Sequence, residues 1–276
     1  MQKAGPVVVI ERMEQFRDAL PGGTSRLPLP TIWRGQGDSS WPLSSSFERM
    51  YRKLRERWQN DRSQSNNQGE GGNLDIYRCY RDRYLASFKR YAAGVRGPAP
   101  APLDDERWWA LGRHFGLRTP LLDWTDKPFI ALFFAVTDLI SRLERTAGDL
   151  GALKVSGASC AVFRLELCDP IEALSSRGLK TIRPEVDELS RMHGQRGLFT
   201  WLESAEYLDL ESFLQHHGAS SYLTKFVLPD KLAIEAYRDL CNFGIDWRVL
   251  YPDLTGAALA ANAAQEIPDD LWDLRY

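Results

Sequence analysis

A chain of 276 residues that is 43% hydrophobic can bury a full core, as one large domain or two small ones. Its 35 basic and 37 acidic residues leave a formal charge of −2, so no overall attraction to nucleic acid or to an anionic membrane follows. The four cysteines (Cys79, Cys160, Cys168 and Cys241) form no Cys-x-x-Cys pair, which speaks against a zinc site or disulfide framework and for reduced thiols in a cytoplasmic protein. The stretch from Met1 to Pro6 lacks an apolar signal region, and the most apolar window, 129–136, is too short to span a bilayer.

In chain order, Val7 to Ile10 reads as a short strand and Glu11 to Leu20 as a helix with Met13, Phe16 and Leu20 on one side, ended by Pro21-Gly22-Gly23. Thr31, Ile32 and Trp33 are β-like and deliver Arg34 into a turn containing Gly35 and Gly37. Phe47 to Trp58 is a basic helix with Met50, Tyr51, Leu54 and Trp58 at spacings of three and four. Glu48, Glu56 and Asp61 interleave with its arginines, which favours a solvated face over a nucleic-acid contact. The segment 59–73 has almost nothing to bury and is expected to be a mobile surface loop. Leu74 to Ala93 is a second long helix, broken by the proline-rich stretch 94–102, and Glu106 to Phe115 is a third, ended by Gly116.

Leu121 to Trp124 is an apolar strand, after which Thr125 or Asp126 is expected to cap a helix with Pro128 in its first turn. Phe129 to Leu143 is apolar nearly all round, the pattern of a helix packed on both sides. Ala158 to Leu167 alternates as a strand, Tyr222 to Leu228 is another, and Lys231 to Phe243 and Leu254 to Ala264 are helices. His216 and His217 precede Gly218 at a helix end, an ordinary place for a cation. Mixed elements without βαβ alternation predict an α+β fold: a single domain with a central, partly antiparallel sheet flanked by helices. Residues 1–30 form an N-terminal strand and helix, 31–265 the main domain, and 266–276 a tail.

The motif blocks resemble a known family. Trp33-Arg34-Gly35, followed by Trp41, Leu43, Ser45, Phe47 and Arg49, is similar to the aromatic-Arg-Gly signature of the FRG domain family. The run from His114 to Thr119, then Leu121 to Thr125 and Ala131 to Ala135, resembles its central signature. Arg191 and Gln195-Arg196-Gly197-Leu198-Phe199-Thr200 resemble a third element, and Phe243-Gly244-Ile245 and Leu250 to Leu254 a closing one. Pro120 departs from the pattern, where a basic residue is expected.

A more distant resemblance is to the R-S-E layout of ADP-ribosyltransferases, and it implies a related fold and NAD as substrate. It gives Arg34, with Gly35 and Gln36 beside it, the binding of NAD phosphates or ribose. Thr125, Asp123, Trp124 and Thr119 would shape the pocket, and Gln195 would stand where the family has a glutamate, with Glu203 and Glu206 nearby. His114 would position a ligand hydroxyl, or be a buried structural histidine. The implied function is an NAD-consuming ADP-ribosyltransferase or NAD glycohydrolase, in the setting of a toxin or antiviral effector, with a nucleotide-type small molecule as ligand and an unspecified macromolecular acceptor. An alternative is a non-catalytic nucleotide- or nucleic-acid-binding module using the same arginine pocket. A metal-dependent hydrolase or nuclease built on Asp123 is a third reading, which no paired acidic motif supports, and no metal ligands are assigned.

Overall fold

The structure, a computed structural model, describes residues 4–20, 30–64, 73–97, 100–147, 157–183 and 197–266. The elements run β1 (Val7–Val9), α1 (Met13–Asp18), β2 (Thr31–Gln36), α2 (Ser46–Gln64), α3 (Asn73–Tyr91), α4 (Asp105–His114), β3 (Leu121–Thr125) and α5 (Pro128–Ala147). They continue with β4 (Ser159–Glu166), a short α6 (Asp169–Glu172) leading into a 3-10 turn, β5 (Leu179–Ile182), β6 (Gly197–Leu202) and α7 (Leu210–His216). A second 3-10 turn leads to β7 (Leu223–Pro229), α8 (Asp230–Asn242), α9 (Trp247–Leu250) and α10 (Leu254–Glu266).

The strands form a single seven-stranded sheet in the order β1-β7-β4-β2-β3-β6-β5. Among the described residues only the β1–β7 pairing is parallel. The fold is therefore α+β with a partly antiparallel central sheet, as the mixed element order predicts.

The alternation of β4 divides the core between two faces. Cys160 and Val162 join α5, α8 and Phe226 on one side. Ala161, Phe163 and Leu165 join Ile32, Leu122, Trp124 and the α7 residues Leu210, Phe213 and Leu214 on the other. α5 lies between the sheet and α8, with Leu132, Phe133, Val136 and Leu139 all buried. Each such side chain contributes about 1.5–3 kcal/mol on burial, so this helix anchors the fold.

Three local expectations change. β2 does not end before Arg34: Arg34, Gly35 and Gln36 pair with Phe163, Val162 and Ala161 of β4. Gly35 serves clearance rather than a turn, because a Cβ there would lie 2.0 Å from the Ala131 carbonyl oxygen and 2.6 Å from the Ala135 nitrogen of α5. The cap of α5 is Lys127, whose carbonyl accepts from the Ile130 and Ala131 N–H groups. Strand pairing with Trp33 and Gly197 holds Thr125 extended, so the helix cannot start there, and the Thr125 hydroxyl instead accepts from the Lys127 N–H at 3.1 Å. Finally, α2 continues to Gln64. Residues 59–64 contain neither Gly nor Pro, so nothing in their backbone preference stops the helix. The remainder of the expected loop, 65–72, lies outside the described residues.

Candidate functional site

β2 and β3 share a single Cα partner pair, Trp33↔Thr125, although each pairs along its length with its other neighbour. The sheet therefore opens between them beyond Trp33, and Arg34 fills the opening. Its Nη1 donates to the main-chain carbonyl of Asp123 at 2.8 Å and stands 3.5 Å from Asp123 Oδ2. Above it lies a cleft of about 450 Å³, with a floor that includes Trp33, Arg34, Gly35, Asp123, Gly197 and Phe199. α4 supplies one wall through Ala110, Arg113 and His114, α5 the other through Ala131, Phe134 and Asp138, and Tyr251 also lines it.

Asp123 is the electrostatic centre. Arg113 donates from Nε to Oδ1 at 3.1 Å and from Nη2 to Oδ2 at 2.5 Å, a two-point guanidinium–carboxylate pair. Burial alone would raise the Asp123 pKa, but the charges of Arg113 and Arg34 and the Arg113 hydrogen bonds outweigh it and hold the acid below its ordinary value. Asp123's charge in turn raises the Arg113 pKa against burial. Arg34 shifts the other way: burial lowers its pKa, opposed by Asp123 and reinforced by the nearby Arg113 and Arg49, although a guanidinium remains charged. The Asp123 side chain is 39% exposed, so the carboxylate is accessible from the cleft. Among the described residues, Arg34 Nε is buried without a hydrogen-bond partner.

Of the residues singled out in the sequence, Arg34, Gly35, His114, Asp123, Trp124 and Thr125 line this cleft. Trp124 does so although it is 3% exposed. Its ring packs in the core of the opposite face and its Nε1 donates to Thr200 Oγ1 at 2.8 Å, so the indole is structural. Gln36 and Thr119 are not lining residues. Gln36 is buried and its Nε2 donates to the Trp41 carbonyl at 3.1 Å. Thr119 is fully buried and fixes the start of α2: its N–H donates to Ser46 Oγ and its carbonyl accepts from the Phe47 N–H. Gln195 and His193 lie outside the described residues, although Gly197 lines the cleft. Glu203 is held 2.7 Å from Arg81 and 3.4 Å from Arg78, and Glu206 accepts from Tyr207 Oη, so neither acid reaches the site.

Sequence reasoning missed Arg113 and Asp138. Both carry a readable signal: Ala110, Arg113 and His114 stand at i, i+3 and i+4, and Ala131, Phe134 and Asp138 at i, i+3 and i+7, each set on one helix face. Among the described residues no group of three or more His, Cys, Asp or Glu side chains is placed to hold a metal ion, and no helix is long and apolar enough to cross a membrane.

Residues 30–144 match the model of the FRG domain. That segment runs from β2 to α5 and supplies Arg34, both walls and Asp123, while Gly197, Phe199 and Tyr251 complete the cleft from outside it. The comparisons with curated proteins and with solved structures gave no match.

Proposed function

We propose that the cleft binds a nucleotide of the NAD type and that the protein cleaves its nicotinamide–ribose bond, as an ADP-ribosyltransferase or NAD glycohydrolase. The observation that carries this reading is Asp123, an ionised carboxylate partly open to a cleft and set between two arginines. Arg34 and Arg113 present guanidinium groups suited to phosphate oxygens. Phe134, half-buried on the α5 wall, offers apolar, aromatic surface for a heteroaromatic ring. As the C–N bond breaks, its electron pair leaves with nicotinamide and positive charge develops on the ribose, whose C1′ then bonds to water or to an acceptor nucleophile that gives up its proton. A fixed carboxylate facing that charge lowers the barrier by several kcal/mol. In this scheme Asp123 takes the role expected of Gln195, and His114 orients a ribose hydroxyl. A cytoplasmic toxin or antiviral effector is the setting that such chemistry suits.

One observation favours a second reading, a nucleotide-binding module without chemistry: both Asp123 oxygens already accept from Arg113. Incubating the purified protein with NAD and measuring free nicotinamide separates the two. Release that is lost in Asp123→Asn supports the enzyme. Saturable NAD binding without release supports the module, and absence of binding refutes both.

A further inference from the structure

Asp138 stands on the α5 wall of the cleft, half-buried, and among the described residues it has no cationic partner. Its Oδ2 accepts a hydrogen bond from the Gly37 N–H at 3.1 Å. The main chain is pressed against this carboxylate, since a Cβ on Gly37 would lie 2.3 Å from Oδ2. The nearest arginine along the helix, Arg142, is engaged elsewhere: Nη1 donates to the Gly37 carbonyl at 2.8 Å and Nη2 to Asp38 Oδ2 at 2.8 Å. The cleft is thus polarised. Two arginines and one carboxylate leave net positive charge around Arg34 and Arg113, and an unpaired carboxylate lines the opposite wall.

Resting on the nucleotide reading above, we infer that Asp138 faces the adenosine ribose and makes the cleft selective for a nucleotide with free hydroxyls there, rejecting one that carries a phosphate on that ribose. The reasoning is electrostatic. A ligand's diphosphate goes to the arginines, which leaves hydroxyl donors to meet Asp138, and a carboxylate accepts from a vicinal diol through its open lone pairs. A phosphate at that end would face a fixed like charge in a partly desolvated wall.

The test is equilibrium titration of the full chain and of Asp138→Asn with NAD and with NADP. Asparagine keeps an oxygen for the Gly37 N–H and removes the charge. The wild type is expected to bind NAD at least about tenfold more tightly than NADP, and the variant to bring the two within about threefold. Equal binding of NAD and NADP by the wild type, or an unchanged ratio in the variant, overturns this inference and leaves the nucleotide reading standing. If neither nucleotide binds the wild type, both fall together. If Asp138→Asn fails to fold, Asp138→Ala is read in the same titration with the same two outcomes.

Discussion

Glu48→Gln should make the protein more stable at alkaline pH, and the structure sets the size of the effect. Glu48 is 3% exposed and sits three residues after the capping Ser45, whose Oγ accepts from the Phe47 and Glu48 N–H groups. The Tyr77 hydroxyl donates to Glu48 Oε1 at 2.8 Å, and Tyr77 belongs to a buried cluster with Phe47 and Tyr51. Burial pushes the acid from 4.5 up to about 8, more than the bonds from Tyr77 and the backbone pull it down. Below about pH 4.5 the folded and unfolded chains both carry the protonated acid. Between 4.5 and about 8 the unfolded chain releases a proton that the folded chain keeps, so stability falls as pH rises, and above that window the loss is complete. At about 1.36 kcal/mol per pH unit, that interval corresponds to roughly 5 kcal/mol at most. Glutamine is neutral throughout and can still accept from Tyr77. Urea unfolding at pH 5 and at pH 8.5 should show the two proteins alike at the lower pH and the variant ahead by several kcal/mol at the higher. Parallel stability profiles across that range would show that Glu48 does not titrate there and would refute the reasoning.

Gly35→Ala should destabilise the fold by about 3 kcal/mol or more, read by thermal melting, because the new methyl meets the backbone of α5 rather than a movable side chain. Arg113→Met should weaken NAD binding tens-fold in a titration. It should also shift acid unfolding to higher pH. The depressed Asp123 pKa contributes stability above the unfolded value that is lost as pH falls, and without Arg113 less of that contribution exists. Trp124→Phe should cost about 1–3 kcal/mol in denaturant unfolding, through the lost bond to Thr200 and lost volume. It should change NAD affinity by less than about threefold, since the indole lies on the other face of the sheet.

The long apolar patterns were legible in the sequence. The all-round apolarity of α5 does correspond to a helix packed between sheet and α8, and the alternation of β4 to a central strand. What the sequence concealed depends on neighbours. Gly35 reads as a turn residue because only the approach of α5 shows why a strand would tolerate it there. Thr119 looked like a ligand group because it lies between motif residues, whereas the start of α2 claims its backbone and burial claims its side chain. The convergence of Arg34 and Asp123 was readable from their motifs, but Arg113 as the partner that holds Asp123 required the fold. β5, a four-residue edge strand, has too little periodicity to declare itself.

The aromatic-Arg-Gly triplet makes sense as three consecutive jobs on one strand. Trp33 points into the α5 core, stacked on Phe226 at 6.0 Å and edge-on to Phe16 at 6.1 Å, and so fixes the strand against the helix layer. Arg34 turns into the gap where β2 and β3 part and holds a β3 carbonyl that strand pairing does not reach. Gly35 gives the clearance that brings α5 down onto the sheet at Ala131 and Ala135, and one helical turn on, Asp138 meets Gly37. That contact sets the distance between the α5 wall and the cleft floor. A larger residue at either glycine would lift the helix and widen the cleft, and a different residue at 34 would leave the split in the sheet unfilled. The same triplet therefore specifies the packing and the charge of the site, which is why its arginine can be structural in its bonds and still available to a ligand.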